Sequence, residues 1–458
     1  MKYLKHNFLK SMALICAIFV LSAGCNILNI EDKPDPNNSE LNEIINNPTR
    51  SDISTLVTGT EAGLREELRI YHINMGMIGR EMYRFLAAEP RNTADLLGKG
   101  NSQLDAGSFY ITRPWASFYS VIRNSNILIQ AATTLNNNGL FTDEEYNGAI
   151  GFAKTMKAYQ YLMALTLTHE NGIRVQPESD FSTTGDLLSK ADSEDLIASL
   201  LDEAATDLNN AGAEFSFSLS SGFENFNTPA TFRQFNRALR ARVAVYQEDW
   251  TGALNNFLPE SFLDTNAPLD MGAYHVFSTS NNDMLNPVFS DPQAGSGDSW
   301  VAHNSWAQEA EANDERVDEK VVVRDETASL DGLSSDYGLF VYQNQTAPMP
   351  IIRNAELILI RAEALAQRNN VGDLDAAEDD LNVIRTNAGL PNFSRGLTGG
   401  QAEVIDEMLN QRRYELFFEG HRWIDMRRYN RLDELPLDRA GDNVWEGFPI
   451  PENENIDS

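Results

Sequence analysis

The densest group of side chains able to do chemistry lies near the carboxyl end, where Glu415, Glu419, Arg422, Asp425 and Arg428 fall close together. Carboxylates flanked by arginines are the equipment of a glycoside hydrolase, which needs one carboxyl group as acid and a second as base or nucleophile. The spacing argues for another role. Glu419–Arg422, Arg422–Asp425 and Asp425–Arg428 are each three residues apart, so on a helix they face one another and neutralise in pairs. A general acid requires a raised pKa, whereas an arginine at contact distance lowers it. The five residues therefore read as a structural ion ladder, and no catalytic residue is assigned.

Other chemistries are excluded by type and spacing. The six histidines are scattered and form no His-Glu-x-x-His pattern, which removes a histidine zinc site. Cys16 and Cys25 are the only cysteines, too few for a disulfide framework or a four-cysteine zinc site. No glycine-rich loop runs into Lys-Ser/Thr, and no Gly-x-Ser-x-Gly elbow is present. Asn281-Asn282-Asp283 and the stretch from Asp438 to Asn443 carry oxygen donors suited to Ca2+, but they lack EF-hand spacing and read as solvated loops. No cofactor or metal is expected. With 36 Lys+Arg against 67 Asp+Glu, the formal charge of −31 argues against nucleic acid and anionic lipid, both of which demand a basic surplus.

Recognition of a sugar remains open. It needs flat aromatic faces for the C–H side of the ring and planar polar groups for the hydroxyls, so aromatic residues within polar loops are the informative ones. Asn101, Gln103, Phe109 and Tyr110, ahead of Trp115, meet that description, as do Trp300, Asn304, Trp306, Tyr337 and Tyr342 in the central third.

The elements that must position these residues are mostly helical. Apolar residues recur at three- and four-residue steps over 54–69, 74–86, 115–135, 146–168, 192–209, 228–247 and 250–257. The stretch 146–168 is apolar enough to be a central helix. Residues 258–349 are rich in Gly, Ser, Asn, Asp and Pro and read as a loop-rich insert, whose length points to function. Helices resume at 351–368, 374–387 and 402–429. The pair 351–367 and 374–388 places Ala355, Ala362, Ala364, Ala366, Ala376, Ala377 and Ala388 where helices cross, with Gly372-Asp373 at the turn. This spacing resembles a tetratricopeptide repeat, and 240–257 offers a looser second copy. A hydrophobic fraction of 42% supplies a core for one compact unit over 51–458, divided into a helical region 51–257, the insert 258–349 and a C-terminal region 350–458.

The amino terminus reads as an address. Lys2, Lys5 and Lys10 precede an uncharged apolar run over 11–22, as in a signal peptide. It ends in Leu21-Ser22-Ala23-Gly24-Cys25, which resembles the lipobox of bacterial lipoproteins, with Ser22 standing where an aliphatic residue is usual. The expectation is a signal peptide over 1–24, lipidation of Cys25, and a polar tether over 25–50 that lifts the body off a membrane. Loss of 1–24 removes three lysines and no acid, which deepens the charge to −34.

The C-terminal third carries a more specific signal. Ala355-Glu356 and Arg361-Ala362-Glu363-Ala364 are followed by the run from Leu381 to Leu390, the block Arg412-Arg413-Tyr414-Glu415-Leu416-Phe417-Phe418-Glu419-Gly420-His421-Arg422-Trp423-Ile424-Asp425-Met426-Arg427-Arg428, and Pro449-Ile450-Pro451-Glu452. In this order the series resembles the SusD/RagB family of outer-membrane nutrient-binding lipoproteins. Trp115, Tyr119 and Asn126 extend the likeness upstream, and Asn313-Asp314-Glu315-Arg316 does so with Glu315 where proline is more usual. The resemblance implies a mostly α scaffold of tetratricopeptide-like helix pairs with long ligand-binding loops. It also implies a surface-exposed, lipid-anchored, non-catalytic protein of the outer membrane that binds an oligosaccharide or peptide for a SusC-type TonB-dependent transporter. An exported helical glycoside hydrolase and a periplasmic tetratricopeptide scaffold are the alternatives.

Overall fold

Thr49 begins the first helix with a reciprocal cap: its side chain accepts from the Asp52 amide, and the Asp52 carboxylate accepts from the Thr49 amide. Thr142 with Glu145 and Thr228 with Thr231 repeat the device. The computed structural model describes residues 41, 43–179, 183, 185–281, 283–295, 297–396 and 399–454. The chain divides into two compact units, Met1–Pro48 and Thr49–Ser458, and the elements below belong to the second. The expected signal peptide, Cys25 and residues 25–40 and 42 of the tether lie outside the described residues.

Helices α1 (Arg50–Gly63), α2 (Leu68–Ile78), α3 (Phe109–Asn137), α4 (Asp143–Thr168), α5 (Lys190–Asn210) and α6 (Pro229–Tyr246) are followed by α7 (Asn354–Arg368), α8 (Asp373–Asn387), α9 (Gln401–Glu415) and α10 (Arg422–Arg428). Shorter helical turns lie between them. Packing is sequential, α3 on α4, α4 on α5, α5 on α6, α6 on α7, and α7 on α8 and α9. This is the stack of helix pairs that the alanine spacing predicts. Ala362, Ala366, Ala377, Leu381, Val404 and Met408 are buried together where α7, α8 and α9 meet. Helix α4 is central, buried on every side from Gly148 to Thr168. It approaches α5 so closely that a Cβ at Gly151 would stand 2.7 Å from Leu208 Cγ. Pro114, inside α3, has no N–H to offer the Tyr110 carbonyl one turn back. Asn74 Nδ2 donates to that oxygen instead, at 2.7 Å.

Eight strands complete the body: β1 (Met82–Phe85), β2 (Ile173–Arg174), β3 (Leu187–Leu188), β4 (Gly272–His275), β5 (Ser299–Ala302), β6 (Val321–Leu330), β7 (Leu333–Leu339) and β8 (Met349–Arg353). They form an antiparallel sheet in the order β1-β5-β7-β6 and two smaller pairs, β2-β3 and β4-β8. The insert is thus not loop throughout, because four strands lie within it. Strands β6 and β7 make a hairpin closed by Asp331-Gly332, both at positive φ.

Two helices expected from the sequence are broken. Helix 74–86 stops at Ile78, Arg80 turns to φ 55, and Met82–Phe85 becomes an edge strand paired with Ser299–Ala302. Helix 402–429 breaks after Glu415, with Phe418 at φ 62 and Gly420 at φ 89, before α10 begins. The bend drives the Phe418 ring into the core against His72, Trp300 and Tyr342. Left-handed backbone at a phenylalanine is unfavourable, and burial of the ring offsets it.

Candidate functional site

The break in the C-terminal helix rearranges the ion ladder. Asp425 and Arg428 pair as expected, at 3.3 Å. The Glu419–Arg422 and Arg422–Asp425 pairs do not form, because Glu419 lies in the bend outside the helix, and Arg422 makes no ion pair among the described residues. The carboxylates are instead held across the fold. Arg353 bonds Glu415 at 2.8 Å and Glu419 at 2.7 Å, Arg412 bonds Asp425 at 2.9 Å, and Arg242 grips both oxygens of Glu356 at 2.6 Å. Glu363 receives Arg412, Arg428 and the Tyr429 hydroxyl. Burial pushes the Glu415 carboxyl up, but Arg353 and Lys320 outweigh it and hold it down to about 2. For Asp425 burial prevails over Arg412 and Arg428 and raises the pKa.

The network is largely buried. Glu419 borders a cavity of about 40 Å³, room for water and not for a sugar ring, and Arg353 already occupies its carboxylate. Ser305 Oγ, His303 and Asp438 also fall in line, with Oγ 2.8 Å from Nδ1 and Nε2 3.1 Å from Asp438. Helix capping accounts for the alignment: His303 Nδ1 accepts the Ser305 amide at the start of a five-residue helix, and Arg413 donates to Ser305 Oγ. Asp438 also receives the Tyr83 hydroxyl and Asp442 is bonded by Arg439, so these two carboxylates already have protein donors.

The sequence-selected sugar-binding residues scatter. Trp300, Trp306, Tyr342 and Tyr110 are at most 6% exposed. Trp300 and Tyr342 face Phe418, Trp306 stacks on Phe417 at 4.0 Å, and Tyr110 donates to Asn92. Such rings present no face to a solute, which corrects the expectation for these four. An insert with few periodic helices is anchored by burying its aromatic residues. Phe109 is half-buried beneath the Arg91 guanidinium, Tyr337 is half-buried on β7, and Asn304 accepts the Asp336 amide. Asn101 and Gln103 are exposed.

Gln103 stands in an open groove of about 510 Å³ with Leu104, Asn171, Leu187, Trp445, Gly447, Pro449 and Ile450. The segment before α3 forms one wall and the C-terminal tail the other. Gly100 N donates to Gly441 O at 2.8 Å, Asn443 N to Leu97 O at 2.9 Å, Trp445 Nε1 to Asp95 O at 2.7 Å, and Glu452 N to Ala106 O at 3.1 Å. The end of α4 supports the tail through Phe448 N to Leu167 O and Asn171 Nδ2 to Phe448 O, both 2.8 Å. Gly447 is required there, because a Cβ would come within 2.6 Å of Thr168 O. The half-buried Trp445 indole, two primary amides and apolar walls have the chemistry that a sugar ring requires. Trp445, Asn171 and Leu187 were not singled out from the sequence, although Trp445 in its turn-rich tail meets the aromatic-in-a-polar-loop criterion. Two further grooves, about 420 and 540 Å³, share Ser221, Tyr274 and Val276. There Glu61 is tied to Ser220 and Arg65 to Asp283, so these side chains are already engaged with one another.

Residues 340–453 match the SusD family model, and the body superimposes on solved SusD-superfamily structures. The C-terminal quarter of the chain is thus similar to the SusD family, and the body has the fold of solved SusD-superfamily proteins. A SusD superfamily protein from Bacteroides vulgatus aligns with TM-score 0.66 at 17% identity, over 89% of this chain and 96% of that one. Surface glycan-binding protein A from Bacteroides thetaiotaomicron, in complex with laminarihexaose, aligns with TM-score 0.67 at 15% identity, over 88% and 97%. At such identities these are likenesses of fold. SusD-like protein P38 from Formosa agariphila is 34% identical over 91 residues, 19% of this chain and only 18% of the length of that relative. The SusD match falls on the block that forms α7 to α10 and the tail, so it covers most of the ion network, Arg242 and Lys320 excepted, and one wall of the groove. No helix among the described residues is long and apolar enough to cross a membrane.

Proposed function

We propose that the chain is a lipid-anchored outer-membrane protein that captures an oligosaccharide in the groove around Gln103 and Trp445 and delivers it to a SusC-type TonB-dependent transporter. The observation that carries this reading is the groove itself: an indole and two amides, open to solvent, in a chain whose C-terminal quarter is similar to the SusD family and whose fold is that of a surface glycan-binding protein solved with laminarihexaose. The helix stack supplies rigidity and the ion network fixes the tail, so the loops are held ready without a catalytic group among them. No cofactor takes part. Membrane attachment rests on the Cys25 motif, and the transporter on the family resemblance.

Calorimetric titration with a panel of oligosaccharides, including laminarihexaose, tests the reading. A bound glycan should lose about tenfold in affinity in Gln103→Ala, the equivalent of one hydrogen bond of about 1.4 kcal/mol. Gln103 is exposed, so the substitution spares the fold. Cleavage of the glycan during the titration would instead support a hydrolase.

A further inference from the structure

The lining of the groove contains no charged side chain: its polar groups are the amides of Gln103 and Asn171 and the Trp445 indole, and the rest is apolar. Next to the lining residues in the sequence, exposed acidic side chains predominate. Asp105 follows the Gln103-Leu104 pair, Glu170 precedes Asn171, Asp186 precedes Leu187, Glu446 separates Trp445 from Gly447, and Glu452 follows Ile450-Pro451. All five are exposed. Lys190, which reaches this region, is paired with Glu170 at 3.2 Å. His169, beside Asn171, is kept neutral by burial and by Arg427 and Lys190, which push its pKa down to about 3.

We propose that the groove selects uncharged oligosaccharides and rejects sulfated or uronic-acid glycans. This rests on the reading of the groove as the glycan site. Sulfate and carboxylate groups are held by Arg forks or Lys ammonium groups, and the lining offers neither. Hydroxyl groups need only donors and acceptors of the kind that Gln and Asn provide in one side chain. An anionic chain lying in the groove would meet the neighbouring carboxylates within a Debye length, about 10 Å at 0.1 M salt, on a protein already at −31.

The test is calorimetry on the purified chain at 50 and 500 mM NaCl. The neutral probes are laminarihexaose, cellohexaose and maltohexaose, and the acidic probes are hexagalacturonate and a carrageenan hexasaccharide. The expected result is a neutral probe whose affinity changes less than twofold with salt, and acidic probes at least tenfold weaker at 50 mM with a narrower gap at 500 mM. The double variant Asp105→Asn, Glu446→Gln should raise acidic affinity more than neutral affinity. An acidic probe that binds more tightly than every neutral one, with affinity falling as salt rises, would overturn the selection while leaving the site intact. If no probe binds, or if Gln103→Ala leaves neutral affinity unchanged, the groove reading fails and the selection with it.

Discussion

Trp423 donates its indole N–H to the carbonyl oxygen of Trp445 at 2.7 Å. One ring belongs to α10, in the buried charged region, and the other lines the open groove. Arg427 reinforces the link, with its guanidinium 4.0 Å over the Trp423 ring and one N–H donated to Glu446 O. The charged C-terminal block therefore fixes the backbone from which Trp445 projects.

Removing that donor with Trp423→Phe should cost about 1 kcal/mol of stability for the hydrogen bond, beyond any packing loss. Glycan affinity should fall as well, although residue 423 touches no ligand. Urea unfolding and calorimetry on the same preparation would show both effects. Lost stability with unchanged affinity would break the link between core and groove.

Arg353 is the shared partner of Glu415 and Glu419. Arg353→Met should destabilise by about 3–5 kcal/mol, because Glu419 stays buried without its cation and Glu415 keeps only Lys320 and a 3.5 Å pair with Arg316. Arg353→Lys should recover only part of the loss, since an ammonium cannot reproduce the forked contacts to Glu419. Chemical denaturation gives the numbers.

Burial lowers the pKa of His72 to about 4 and of His275 and His421 to about 3. The unfolded chain binds these protons near pH 6.5, whereas the folded chain resists until pH 3–4. Below pH 6.5 the unfolded state thus holds more protons, and stability falls as pH drops. Each histidine contributes a slope of about 1.4 kcal/mol per pH unit over that window. A His275→Asn variant should show a shallower fall in melting temperature from pH 6.5 to 4.5 than the parent.

Glu81 works in the opposite direction. Burial pushes its carboxyl up to about 8, only partly countered by the Phe418 amide bonded to Oε1, while Oε2 has no hydrogen-bond partner among the described residues. Its contribution is complete below pH 4.5 and is lost as pH rises through 8. Glu81→Gln should remove that loss, so between pH 5 and 8 its melting temperature should change less unfavourably than that of the parent.

Much of the fold was legible because helical packing leaves local periodicity. The alanine spacing of 351–388 and the apolar run of α4 each reflect contacts within one or two turns. The breaks were hidden because their causes are remote. Met82–Phe85 is a strand owing to Ser299–Ala302, and Phe418 leaves the helix for a pocket made by His72, Trp300 and Tyr342. Asp331-Gly332 was a readable hairpin signal, masked by the polar faces of β6 and β7. At the groove, Gln103 was legible as a polar residue in a loop. The burial of Trp300 and Trp306 was not, since a loop aromatic has the same local sequence whether it faces solvent or core.

The central claim is that a rigid helical body displays an open groove that holds a glycan and leaves it intact. A crystal structure of the chain soaked with a neutral hexasaccharide tests it most directly. The expected density is an uncleaved chain lying against the Trp445 indole with hydroxyls bonded to Gln103. Density confined to another surface, or shortened products beside Glu419 or Asp425, would contradict it.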